Sequence, residues 1–96
     1  MFNAALIGTI CRGWVMVLVK NGDGRSLNTS SFIVDIYKKK NGDYAFYETK
    51  NITGVLSTSD YDYFKYTFYE SGDYRFSVYN ADSKFIQQGY VSINRQ

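Results

Sequence analysis

The sequence predicts an all-β protein, an antiparallel two-sheet sandwich of seven to eight strands. Three observations lead there. Aromatic residues make up 19% of the chain, with ten Tyr, seven Phe and one Trp, and such rings favour pleated, half-buried surfaces. Turn signals recur every ~8–12 residues, the spacing of a sandwich or barrel. No segment sustains a helical period, whereas period-two alternation runs through the long C-terminal segments. A length of 96 residues and a hydrophobic share of 45% suit a single domain over residues 1–96, large enough to bury something over ~60% of its unfolded surface.

The first strand is expected at Ala4–Ile10 and the second, WVMVLVK, at Trp14–Lys20. This N-terminal run is apolar, but no positive charge precedes it, and Asn3, Thr9, Arg12 and Gly13 interrupt it, which argues against a signal peptide. Its longest clean apolar stretch, Trp14–Val19, is far short of the ~20 residues a membrane helix needs. The loop NGDGRSLNTS follows, rich in residues that take positive φ or bond their own backbone. Next come SFIVDIYKKK and DYAFYETK, joined by Asn41-Gly42. Asn-Gly is the strongest short-range hairpin signal, because both residues tolerate the positive φ of a type I′ turn. From Phe32 to Tyr37 both faces are apolar except at Asp35, the pattern of a central strand. The segment Asn51–Asp60 is less regular and is expected to hold a short edge strand near Val55.

Three long strands close the chain: YDYFKYTFYE, DYRFSVYN and KFIQQGYVSINR. In the second of these, alternation puts Tyr74, Phe76 and Val78 on one face and Arg75, Ser77 and Tyr79 on the other. In the last, Phe85, Gly89, Val91 and Ile93 are expected to share a face, with Gln87 breaking the pattern. The preceding SGDYRFSV has the form of a tyrosine corner. Gly72 supplies the turn, Asp73 offers a carboxylate to backbone N–H groups, and Tyr74 stands two residues before the inward-facing Phe76.

The stretch YTFYESGDYRFSVYNADSKFIQQGYVSI, about the last third of the chain, resembles the final three strands of bacterial immunoglobulin-like and fibronectin type III-like modules. It departs from them in lacking edge prolines and a Cys-Trp-Cys framework, and Phe76 stands where antibody domains place a core cysteine. The resemblance implies an immunoglobulin-like sandwich with a scaffold or adhesion role. It also implies an exported bacterial protein, extracellular or at the cell surface.

Catalytic chemistry is thinly represented. The chain has no His, which removes the commonest general base and transition-metal ligand. A single cysteine, Cys11, excludes an internal disulfide and a thiolate cluster; among apolar neighbours it is expected as a buried small hydrophobe. Asp60 and Asp62 share a strand face, but a glycosidase pair needs a cleft that so small a domain rarely forms. They read as the polar start of a strand. Placing Gly24 at the glycine of a calcium loop puts Val19 at the first Asp position, and no bidentate Glu follows. Asn28-Thr29-Ser30 and Asn51-Ile52-Thr53 match the N-glycosylation pattern, which matters only on a eukaryotic secretory route. The expectation is no enzyme and no cofactor.

A net charge of +2 is too balanced to imply a polyanion partner. Lys38, Lys39 and Lys40 beside Tyr37 and Tyr44 read as a solubilising hairpin tip that guards an edge strand, rather than as a nucleic-acid platform. Tyr61, Tyr63 and Tyr69 alternate with Phe64, Tyr66 and Phe68, so one ring-bearing face must point outward. Together with Tyr79 they form a candidate binding face, since Tyr offers large contact area at low conformational-entropy cost. Asp23, Arg25 and Asn28 in one loop and Asp82 and Lys84 in another form a second candidate, because an immunoglobulin-type order would bring both loops to one end. The expected function is a non-catalytic protein-interaction, adhesion or structural module. Two alternatives are a carbohydrate-binding module that stacks coplanar Tyr rings on an oligosaccharide, and a small enzyme inhibitor that presents the two loops. A homodimer through the edge of WVMVLV is a further expectation.

Overall fold

A computed structural model of the chain describes residues 2–5 and 14–93. Its strands are β1 Phe2–Ala5, β2 Trp14–Lys20, β3 Ser31–Lys40, β4 Asp43–Thr53, β5 Tyr61–Thr67, β6 Gly72–Tyr79 and β7 Phe85–Ile93. They build a three-stranded sheet in the order β1-β2-β5 and a four-stranded sheet in the order β4-β3-β6-β7, and every pairing is antiparallel. The described residues are therefore all-β, in two sheets compatible with a sandwich. No helix among them is long and apolar enough to cross a membrane.

Several sequence expectations shift. The first strand starts at Phe2 and is described through Ala5; the rest of the expected span, to Ile10, and Cys11 lie outside the described residues. The apolar β2 is no edge strand: it sits between β1, which pairs with Met16–Val19 among the described residues, and β5, which pairs along Trp14–Lys20. Around Val55 there is a loop instead of an edge strand, because Gly54 at φ +73 turns the chain away from β4. Val55 then donates its N–H to the Ser30 carbonyl at 3.0 Å and buries its side chain as a plug. The strand expected to run to Glu70 ends at Thr67.

Asn41 and Gly42 take φ of 53° and 89°, and Lys40 pairs with Asp43 across them, so the two-residue hairpin forms as its residues require. β3 lies between β4 and β6, the central place its two apolar faces imply. Its lone acid, Asp35, accepts a 2.7 Å hydrogen bond from the hydroxyl of its cross-strand neighbour Thr49.

Two bulges set which way the edge strands face. Between Ile36 and Tyr37 the pairing jumps from Glu48 to Phe46, so Tyr47 is the extra residue. Phe46 then stands beside Tyr37 on the outer side, while Glu48 stands opposite buried Ile36. In β7 the pairing jumps from Val78–Gln87 to Tyr79–Phe85. That extra residue overturns the face expected for Phe85. A single inserted residue flips everything beyond it, so Phe85 points outward and is 58% exposed, while Gly89, Val91 and Ile93 stay buried. Gln87 instead pairs with buried Val78, and its amide oxygen is buried with no hydrogen-bond partner among the described residues.

The buried faces of both sheets merge into one core. Val15, Val17 and Val19 of β2 and Phe64 and Tyr66 of β5 meet Phe32, Val34 and Ile36 of β3 and Tyr74, Phe76 and Val78 of β6. Rings bridge the sheets: Tyr66 lies edge-on to Phe76 at 5.3 Å, and Phe68 lies 4.5 Å from Tyr74. Tyr74, with no exposed surface, donates its hydroxyl hydrogen to the Glu70 carbonyl at 2.8 Å, which is the backward bond of a tyrosine corner. Gly72 has φ +153, and a Cβ there would sit 2.8 Å from Lys38 Cε. The Asp73 carboxylate, expected to serve backbone N–H groups, accepts among the described residues from the Ser92 hydroxyl at 2.7 Å, because β7 pairs alongside.

Tyr74→Phe should keep the ring and lose only this bond, leaving the Glu70 carbonyl without its partner, at about 1–2 kcal/mol. Urea unfolding with an unchanged m-value checks it. Burial, with the nearby Tyr47 phenol and Glu70, pushes the Tyr74 hydroxyl from 10.0 up to about 12, so folding favours its neutral form. That contribution is complete below about pH 10 and is lost as pH rises toward 12. Between those values wild-type stability should fall more steeply than that of Tyr74→Phe.

Candidate functional site

The expected tyrosine face is divided by the fold. Tyr61 and Tyr63 are exposed on the outer side of the three-stranded sheet, paired with Lys20 and Leu18 of β2. Nearby, Lys65 Nζ lies 4.9 Å from the Trp14 ring centroid. Tyr79 belongs to the other sheet, half-buried, with its ring 5.7 Å from Phe85. Tyr69 follows β5 and is 77% exposed. It stands over a cleft of about 540 Å³ between the edge strands β4 and β5, lined also by Tyr47, Glu48, Lys50 and Lys65.

On the inner wall of that cleft the Tyr66 hydroxyl donates to the Glu48 carboxylate. Burial, reinforced by that carboxylate, raises the Tyr66 hydroxyl far above its ordinary value. Lys50 lies 4.0 Å from Glu48 on the other side. The acid of the cleft is thus engaged by two neighbours.

The two candidate loops do meet. β3 starts where β6 ends, with Ile33 opposite Tyr79. The buried Thr29 hydroxyl accepts from Ala81 N–H at 3.1 Å and donates to the Ser31 carbonyl. Within the first loop the two charged residues pair with each other, whereas in the second the bonds are made by backbone groups. Asp23 accepts from Arg25 N–H at 2.9 Å and pairs with its guanidinium at 3.5 Å. Asn28 is exposed at φ 54, and Asp82 and Lys84 both donate N–H groups to the Asn80 side chain. Asp62 likewise caps structure, accepting from Leu56 and Tyr63 N–H groups.

Nor do the three hairpin lysines form one patch. Lys38 turns toward the corner and pairs with Glu70, and its hydrogen bond holds that carboxyl below the usual carboxylate range. Lys39 lies 5.8 Å from the Tyr44 ring, and Lys40 is exposed.

The most concentrated chemistry lies on the outer face of the four-stranded sheet, which sequence reading passed over. One row of cross-strand neighbours runs Tyr90–Arg75–Tyr37–Phe46 through β7, β6, β3 and β4. The Arg75 guanidinium carbon lies 4.2 Å from the Tyr37 ring centroid and 5.5 Å from that of Tyr44. Tyr44 reaches across to Tyr90 at 5.6 Å, and Phe46 is edge-on to Tyr37 at 5.9 Å. Phe46 and Tyr90 are nevertheless 61% and 57% exposed. Arg75 Nε is buried with no hydrogen-bond partner among the described residues. The result is a cation packed on two rings, with Tyr90 as its cross-strand neighbour and Phe46 on the far side of Tyr37. Compared with protein-family models, with curated proteins and with solved structures, the chain matches none of them.

These exposed rings contribute little to stability. Phe46→Ala and Tyr90→Ala should each stay within about 1 kcal/mol of wild type, the scale of a cross-strand surface pair. Phe76→Ala in the core should cost about 3–5 kcal/mol. Thermal or urea denaturation of the three variants makes the comparison. Losses at Phe46 or Tyr90 as large as at Phe76 would make the patch part of the core.

Proposed function

We propose that this chain is an immunoglobulin-like, non-catalytic module that binds another protein through the outer face of its four-stranded sheet. The observation that carries the reading is the Arg75 guanidinium packed on Tyr37 and Tyr44, whose rings in turn meet Phe46 and Tyr90, both more than half exposed. Tyr, Phe and Arg are the residues that interfaces enrich and that carry binding energy where they cluster. The rings stand on paired strands of a sheet, and a face held in place this way loses little conformational entropy on contact.

The immunoglobulin-like assignment is supported by strand order and by the corner. Strands one, two and five share one sheet while three, four, six and seven share the other, as when a C′ strand joins the G-F-C sheet of a variable-type domain. The hydroxyl bond of Tyr74 falls at the start of the sixth strand, where that fold has its corner. A place on an exported bacterial protein agrees with the same resemblance.

Ring geometry favours a protein over a sugar. Stacking on a saccharide needs rings lying flat in line, whereas Tyr37 and Phe46 meet at 80° and Tyr44 and Tyr90 at 58°. The test uses a photo-crosslinking phenylalanine at position 90, with a control at position 63 on the opposite sheet, in extracts of the source cells. The expected result is a discrete adduct from position 90 alone, competed by unlabelled wild-type domain but not by a Tyr37→Ala/Phe46→Ala domain. Equal labelling from both positions, or competition by the double variant, would remove this face from the account.

A further inference from the structure

On the four-stranded sheet Arg75, like Lys39 and Lys40 at the hairpin tip, faces no carboxylate within ion-pair distance among the described residues, but it is less exposed than they are. Lys38 pairs with Glu70, Asp35 with the Thr49 hydroxyl and Asp73 with the Ser92 hydroxyl. Arg75 packs on the Tyr37 and Tyr44 rings, and its enclosed Nε has no acceptor among the described residues. A guanidinium partly withdrawn from water in this way is a cation with an unmet demand. Cation–π contact with Tyr37 and Tyr44 offsets part of the lost hydration, but rings supply no acceptor for its N–H groups.

We infer that this face docks an acidic segment of a partner protein, one of whose carboxylates is received by Arg75. The inference rests on the protein-binding reading above and names the chemistry of the partner. With Nε enclosed against the sheet, the terminal Nη groups are the N–H groups left for a carboxylate, which a guanidinium can receive bidentately. Tyr44 lies 5.5 Å from the guanidinium and packs on Tyr90, so these two rings flank the contact and reduce its hydration, which strengthens a charge-assisted bond. Lys39, beside Tyr44, adds a second positive charge at the rim, so the face is complementary to more than one acid.

A nucleic acid would use the face differently. Its bases need ring faces to stack on, and here Tyr37 meets Phe46 edge to face and gives one of its own faces to Arg75. A single-stranded polyanion would also call for more basic charge than the net +2 of the chain.

The test is a titration of the isotope-labelled domain with an eight-residue glutamate peptide, followed at the Arg75 Nε–Hε cross-peak and the amides of β3, β4, β6 and β7. Saturable shifts at Arg75, Tyr37, Tyr44 and Tyr90 are expected, without matching shifts from an eight-residue lysine peptide. Arg75→Gln should weaken binding by at least about tenfold, the scale of one charge-assisted hydrogen bond. Arg75→Lys should recover little of it, because the ammonium keeps the charge and loses the planar fork.

Shifts confined to Lys39, Lys40 and Lys84 with Arg75 unmoved would overturn the inference. So would equal affinity in Arg75→Gln, or a thymidine octanucleotide moving the Arg75 peak where the glutamate peptide does not. The wild-type titration decides the matter even if a variant fails to fold. A silent glutamate peptide alongside a position-90 adduct would refute only the acidic partner; loss of the adduct would refute the protein-binding reading itself.

Discussion

Between the two sheets, the hydroxyl of Tyr74 reaches back 2.8 Å to the carbonyl of Glu70, and much of the molecule follows from that bond. It fixes where β6 begins and which of its residues face inward. With Tyr74, Phe76 and Val78 committed to the core, alternation leaves Arg75 no place but the outer face. There the register with β3 sets it against Tyr37, and the register with β7 sets it against Tyr90. A slip of one residue would exchange the two faces, burying a guanidinium among valines and exposing three core side chains. The corner therefore positions the outer face even though it touches none of its rings.

The bulges have a similar reach. By inserting Tyr47 opposite β3, the first lets Phe46 join the outer row while Glu48 turns toward Tyr66. The edge strand β4 thus serves both sides of its sheet, apolar where it meets Tyr37 and acidic where it meets the cleft. In β7 the second bulge moves Phe85 beside Tyr79 and spreads aromatic surface along the outer face. Bulges at sheet edges commonly re-aim side chains in this way.

Local chemistry was legible in the sequence, and long-range pairing was not. Asn41-Gly42, the central β3, the inward set Tyr74–Phe76–Val78 and the corner could each be read from neighbours a few residues apart. Even the outward position of Arg75 was legible from alternation. Its significance was hidden, because Tyr37, Phe46 and Tyr90 come from three other strands, and nothing in a single strand says which strand lies beside it. Phe85 and Val55 were misplaced because a bulge and a positive-φ glycine act against alternation. The face expected from Tyr61, Tyr63, Tyr69 and Tyr79 is divided for the complementary reason: Tyr61 and Tyr63 share the outer side of one sheet, whereas Tyr69 follows β5 and Tyr79 belongs to the other sheet.

The packing of Arg75 against Tyr37 in the free domain tests the account most directly. A guanidinium held 4.2 Å from a ring centroid lies in the shielding cone of that ring. Proton NMR should find the Arg75 side-chain protons moved upfield, with nuclear Overhauser contacts to the Tyr37 ring that vanish in Tyr37→Ala. Arg75 protons at ordinary solvent-exposed shifts, with no contact to Tyr37, would mean that β6 does not present its outer face as described, and the binding face built on it would fall.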